Sequence, residues 1–339
     1  MTISGVVRDL LDRQILFIGG KGGVGKTTIA ASLAISAADL GYTCLLVSTD
    51  PAHSLSDIFG IEIGDSETTV SKNLTALEID PERTATAHIA TVKDNMKRLV
   101  HPRLYSEVDR QLELATHAPG TMEAALLERV AELVCESGTQ YDLLIFDTAP
   151  SGHTVRLLSL PEIMSSWTDG LLKHRARSGR FAAMLKTFGN DGQIGDDLSH
   201  LDSGADHPTN SPEDRIQDLL SARRRKFIVT RERLLDAKTT NFLLVLNPDH
   251  LSILETEKVV TSLLSFDINI AALVINRVLT SSISGSGEFI DSRRTQDSEY
   301  LDKIQSVFGN FSRVVVPLEP RDVYGIASLR NIGKRLLDS

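Results

Sequence analysis

Six short apolar runs punctuate the chain: ILFIG at 15–19, CLLVS at 44–48, LLIFD at 143–147, FLLVLN at 242–247, ALVIN at 272–276 and RVVVP at 313–317. They do not alternate with polar residues and several are rich in β-branched side chains, which suits strands buried on both faces. A weaker run, LTALEID at 74–80, adds a further strand. Helical segments separate the runs. This order predicts an α/β fold, a doubly wound and mostly parallel sheet, because parallel neighbours need long right-handed crossovers that place helices on both faces.

Two regions interrupt the rhythm. Between 84 and 135, Ile89, Val92, Met96, Leu99 and Val100 follow helical spacing, and Pro119-Gly120 precedes a second amphipathic stretch through Leu126, Val130 and Val134. The other region, 160–238, is less regular, and its piece 189–214, GNDGQIGDDLSHLDSGADHPTNSPED, is rich in Gly and Asp without periodicity, so it is expected to be disordered. There is no internal repeat. The expected organisation is one domain over 1–339 with a helical subdomain inserted from 84–135 and 160–238.

Composition narrows the function classes. The 339 residues carry 45 Asp and Glu against 36 Lys and Arg, a net charge of −9, which argues against a nucleic acid as main partner. The two cysteines, Cys44 and Cys135, indicate a reducing compartment rather than a disulfide framework. The first residues lack the basic, apolar, small-residue order of a signal peptide, and no run approaches the roughly 18 apolar residues of a membrane span. A cytoplasmic location is expected.

The strongest chemical signal is Gly20-Lys21-Gly22-Gly23-Val24-Gly25-Lys26-Thr27, followed by Thr28, between the 15–19 strand and a helical segment. It fits the G-x-x-x-x-G-K-[ST] phosphate loop in its strand-loop-helix setting. Glycines let backbone N–H groups turn inward around phosphates at a helix N-terminus, Lys26 adds a point charge, and the Thr27 hydroxyl can hold Mg²⁺.

KGGVGKTT carries a second lysine, Lys21, near the loop's start. Further on stand STDPAHSLSD at 48–57 and DTAPSGHTVRLL at 147–158. These segments resemble the deviant phosphate-loop ATPases, and within them the switch I and switch II segments of the Get3 and arsenite-pump branch. The similarity extends through PGTMEAALLERVAEL, NPDHLSILETEKVV, VINRV and PLEPRDVYGIASL, and covers most of the chain except 165–235.

The resemblance implies an ATPase that works as a homodimer, with Lys21 reaching across to the partner's nucleotide. It implies that Asp57 orients the attacking water and that Asp50 and Asp147 hold Mg²⁺ or its waters; an Asp at a strand end also serves as a helix cap. His53, Ser54, Pro150, Ser151 and Gly152 fall in the switches. Asn276, Pro317 and Leu318 match positions that frame adenine. Glu255 matches a residue that couples nucleotide to the client region, though it also reads as an ordinary exposed helical Glu. ATP and Mg²⁺ are the implied cofactors, and the implied partners are a hydrophobic membrane-protein client and a membrane receptor. The alternatives are the motor of an arsenite pump and a nucleotide-switched scaffold of the partition type, which retention of Asp57 and Pro150-Ser151-Gly152 argues against.

Departures matter as well. Where many Get3 proteins carry the Cys-x-x-Cys pair of an interfacial zinc site, this chain has Gly287 and Ile290, neither a ligand, so no zinc is expected. Cys44 and Cys135 read as structural thiols rather than arsenite ligands. A client groove would draw on Met164, Trp167, Leu171, Leu172, Phe181, Met184, Leu185 and Phe188, interleaved with basic residues, and the same pattern suits an ordinary packing helix. The helix expected over 326–337, with Arg330, Lys334 and Arg335, reads as core packing rather than a membrane-surface helix.

Overall fold

The computed structural model describes residues 6–50, 54–97, 102, 105–106, 109–110, 113, 121–148, 212–280 and 287–338. Its strands are β1 (Ile15–Gly20), β2 (Cys44–Ser48), β3 (Thr68–Ser71), β4 (Leu74–Glu78), β5 (Leu143–Asp147), β6 (Thr240–Leu246), β7 (Ile270–Val278) and β8 (Ser312–Pro317). They form one sheet in the order β3-β4-β2-β5-β1-β6-β7-β8. Every pairing is parallel except β3 with β4. The α/β fold and all seven strands read from the apolar runs are present. The eighth, β3, is only TTVS at the sheet edge, joined to β4 by a tight turn in which Asn73 takes a left-handed backbone (φ 64°). Three half-exposed residues and one exposed one leave no apolar run to read.

The helices are α1 (Val6–Leu10), α2 (Lys26–Leu40), α3 (Ser54–Phe59), α4 (Pro81–Lys97), α5 (Thr121–Glu136), α6 (Pro212–Leu235), α7 (His250–Ser265), α8 (Glu288–Val307) and α9 (Gly325–Asp338). Strand side chains alternate between two cores. Leu16 and Ile18 join the α2 and α9 side, while Ile15 and Phe17 join the side of α5 and α7. On that second face Phe17 stacks between Phe146 and Phe242 of the neighbouring strands, with ring centroids 4.7 and 4.8 Å away. Each such pair adds about 0.5–1.5 kcal/mol beyond area burial.

Helix α2 is buried almost all round, so its outer side needs a cover, and α9 supplies it with Leu329, Ile332 and Leu336. The two helices approach so closely at Gly333 that a Cβ there would lie 2.0 Å from Ser36 Oγ and 2.6 Å from the Ser32 carbonyl. The basic residues of α9 face outward, and Arg330 pairs with Asp39 of α2. This helix is core packing. Among the described residues no helix is long and apolar enough to cross a membrane.

Helix α5 packs against both α4 and α6. Its Glu128 takes Arg223 at 2.7 Å and Lys226 at 3.6 Å from α6, and His88 of α4 lies 3.4 Å away. Of the stretch 189–214, residues 212–214 form the first turn of α6, opened by Pro212, and the rest lies outside the described residues. The eight groove candidates between Met164 and Phe188 lie outside them too.

Candidate nucleotide site

The site is built where β1 ends. The loop Lys21–Gly25 turns straight into α2, and Gly25 is its N-cap with a left-handed backbone (φ 95°), no side-chain cap and no acidic residue in the first turn. The first N–H groups of α2 are therefore offered to an external acceptor, and the helix dipole favours an anion there.

The loop is braced from β7. Asn276 Nδ2 donates to the Val24 carbonyl at 2.8 Å, and Arg277 Nη1 donates to the Gly23 carbonyl at 3.1 Å. In a planar trans peptide the N–H points opposite the carbonyl. With both carbonyls turned to β7, the amides of Val24 and Gly25 face the other way, which is the arrangement a phosphate cradle needs. Asn276 also fills the space beside Gly25, where a Cβ would lie 2.5 Å from its Nδ2.

At the foot of the loop, Thr27 Oγ1 donates to Asp147 Oδ2 at 2.6 Å. Asp147 is completely buried, and its Oδ1 has no hydrogen-bond partner among the described residues. Burial pushes its pKa up to about 7, against the opposing pull of the Thr27 bond and the Lys26 charge. Lys26 is 5% exposed and held below the usual lysine range by burial, partly offset by Asp147 and Asp50. Its Nζ donates to the Lys21 carbonyl at 3.3 Å, so the loop's own backbone orients it.

The other expected residues divide into three groups. Pro317 and Leu318 sit beside the end of β7, with Pro317 in register with Val278 and Leu318 N donating to the Val278 carbonyl, so the Asn276, Pro317 and Leu318 positions do come together. Asp57 and Ser54 lie on α3, with Asp57 exposed, while Asp50 is half-buried after β2 and its N–H bonds Ser48 Oγ. Lys21 and Glu255 are brought together as an ion pair at 3.8 Å across the mouth of the loop, and Thr28 is half-buried on α2. His53, Pro150, Ser151 and Gly152 lie outside the described residues. Gly287 caps α8, and Ile290 is in its first turn.

Comparison with known proteins decides the family. The profile of the anion-transporting ATPases matches residues 13–338. The chain belongs to that family. It is 33% identical to the ATPase ASNA1 homolog 1 of Paramecium tetraurelia over 99% of this chain and 96% of that protein. It is 32% identical to the ATPase GET3A of Arabidopsis thaliana, covering 98% and 86%, and 32% identical to the ATPase ARSA2 of Chlamydomonas reinhardtii, covering 99% and 87%. It is an ATP-hydrolysing enzyme of the Get3 type.

In this member of the family two further residues at the site, Arg277 and Glu78, escaped the motif reading. Arg277 follows Asn276 with φ 59°, a backbone that a non-glycine residue adopts only where its surroundings impose it. Glu78 ends β4 fully buried and bonds the backbone of α3. Each had a trace in the sequence: a polar Asn-Arg pair closing ALVI, and a lone carboxylate inside LTALEID.

Proposed function

We propose that this ATPase is a Mg²⁺-dependent homodimer that closes on ATP and opens after hydrolysis, thereby exposing and hiding a surface for hydrophobic membrane proteins such as tail-anchored ones, which it passes to a membrane receptor from the cytoplasm. The observation that carries the catalytic part is the Thr27–Asp147 pair, with a buried Asp147 Oδ1 that has no partner among the described residues, at the foot of a helix N-terminus without a side-chain cap. A hydroxyl and a carboxylate form the hard-oxygen donor set that Mg²⁺ prefers. Thr27 and Asp147 would hold the ion, with Asp50 acting through water. Bound there, the ion neutralises charge on the phosphates.

The chain's own residues do the rest. The amides of Val24 and Gly25 and the first turn of α2 bind phosphate oxygens, and Lys26 adds a fixed positive charge. Asp57 orients the attacking water, and Lys21 leaves Glu255 to meet the partner's nucleotide. A partly exposed pair at 3.8 Å is worth about 0–1 kcal/mol, so the exchange is easy. Asn276, Pro317 and Leu318 frame the base, and the switch residues His53, Ser54 and Pro150 to Gly152 move with the phosphate state. Glu255 links the loop to the client side. The client surface belongs to a helical subdomain drawn from 84–135 and 160–238.

The arsenite-motor alternative is less favoured. Cys44 is buried on β2 with its thiol pushed up to about 12 by burial, and Cys135 contacts Thr230 and the Lys226 carbonyl on α6. The Cys44 thiol is therefore not a ready thiolate. The test loads purified Asp57→Asn protein with ATP and adds a fluorescent peptide of a tail-anchored transmembrane segment. Capture that requires ATP supports the reading; no capture, with several-fold arsenite stimulation of the parental ATPase, would replace it with the pump motor.

A further inference from the structure

Helix α3 is held by a carboxylate from another element. Glu78, 1% exposed at the end of β4, accepts the N–H of Leu55 at 2.6 Å and of Ser56 at 3.3 Å on Oε1. Ser56 Oγ lies 2.9 Å from Glu78 Oε2 and also from the Ile63 carbonyl, and it accepts from Ile63 N at 3.0 Å. One carboxylate therefore takes two of the N–H groups that a helix start leaves without an internal partner, and Ser56 fastens the far side of the same turn to Ile63. Leu55 and Ser56 immediately precede Asp57.

A buried carboxylate is an expensive way to end a strand. An apolar residue would complete β4 without that penalty. What it would lose is the hold on the first turn of α3, the bonds that the N–H groups of Leu55 and Ser56 make to Glu78 Oε1. We propose that Glu78 is a positioning residue for hydrolysis: its carboxylate sets where Asp57 stands relative to the phosphate loop. The proposal rests on the reading that Asp57 orients the attacking water. Displacement of such a group by 1 Å lowers turnover by about 100-fold.

The experiment compares Glu78→Gln, Ser56→Ala, Asp57→Asn and the Glu78→Gln/Asp57→Asn double variant as full chains, measuring kcat, KM for ATP and the Kd of a fluorescent ADP. Glu78→Gln keeps the shape but puts an N–H₂ where one acceptor stood, and Ser56→Ala is the milder change should the first fail to fold. The expected result is a fall in kcat of about 10- to 100-fold in both, with nucleotide Kd within about 2-fold of the parent. The double variant should be no slower than Asp57→Asn, because Glu78 acts through Asp57. Parental kcat in Ser56→Ala and Glu78→Gln, beside an inactive Asp57→Asn, overturns the proposal alone. So does a double variant in which the two losses multiply. A fully active Asp57→Asn instead removes the underlying reading, and the role of Glu78 with it.

Discussion

Asn276 holds the Val24 carbonyl from 252 positions further along the chain. The phosphate loop is thus shaped by its neighbour strand as much as by its own glycines. Asn276→Ala should leave the fold intact but free the Val24–Gly25 peptide, weakening ATP binding by about 10-fold for a bond worth roughly 1–1.5 kcal/mol. Gly25→Ala should do more harm, because its Cβ would strike Asn276 and its backbone is left-handed. Titration with fluorescent ATP ranks the two, and equal affinity in Asn276→Ala and parent would mean that the loop holds its shape unaided.

Asp57→Asn is expected to bind ATP almost normally and to lower turnover by orders of magnitude, since a water-orienting group acts mainly in the transition state. Lys26→Ala should instead weaken nucleotide binding. Single-turnover assays separate the two effects. Hydrolysis at the parental rate in Asp57→Asn would make Asp57 a surface residue only.

Asp147 gives the protein without nucleotide or metal a pH signature. Its pKa is about 7 folded, against about 3.9 in an unfolded chain. Between those values the folded state holds the extra proton, so this contribution to stability is complete below about pH 4 and is lost as pH rises through about 7. Asp147→Asn should flatten the slope of Tm against pH from 5 to 8. Mg²⁺ with ATP should drive a proton off Asp147 near neutral pH, read by calorimetry in buffers of different ionisation heat. No proton release would remove Asp147 as a metal ligand.

Lys21→Ala should remain a competent ATP binder yet lose hydrolysis and the ATP-dependent closed dimer. The ion pair with Glu255 occupies Lys21 within one chain, so its catalytic use requires it to change partners. Light scattering with and without a non-hydrolysable ATP analogue checks this. A species that stays monomeric throughout and still hydrolyses ATP is the outcome that sinks it.

The dimer should form without zinc and depend on ATP and protein concentration. Gly287 and Ile290 stand where an interfacial zinc site would need thiolates, and neither is a ligand. Elemental analysis showing stoichiometric zinc would contradict this.

The inner strands β1, β2, β5 and β6 were legible because each is buried on both faces, which forces an unbroken apolar run such as LLIFD. Their order was not, since nothing in CLLVS or FLLVLN says which neighbour each takes. The phosphate loop was legible from glycines that its backbone requires. Its braces were harder to see: Asn276 and Arg277 act through the fold, and Glu78 looks like any strand-end acid until α3 is placed above it. Lys21 and Glu255 stood out as separate motif residues, yet only the folded chain pairs them.

The close seat of Gly333 on Ser32 and Ser36 also bears on how the protein is made. Helix α2 leaves the ribosome well before its cover α9, and folding on the ribosome proceeds from the residues made first. Until α9 docks, the helix that presents its N-terminus to ATP lies bare on one apolar side. A nascent chain stalled before residue 325 should therefore load ATP far more weakly than one stalled well beyond it, and equal loading would show that α2 is seated without its cover. Nucleotide capture would then wait on the docking of α9, so that a chain still without this helix stays idle as an ATPase.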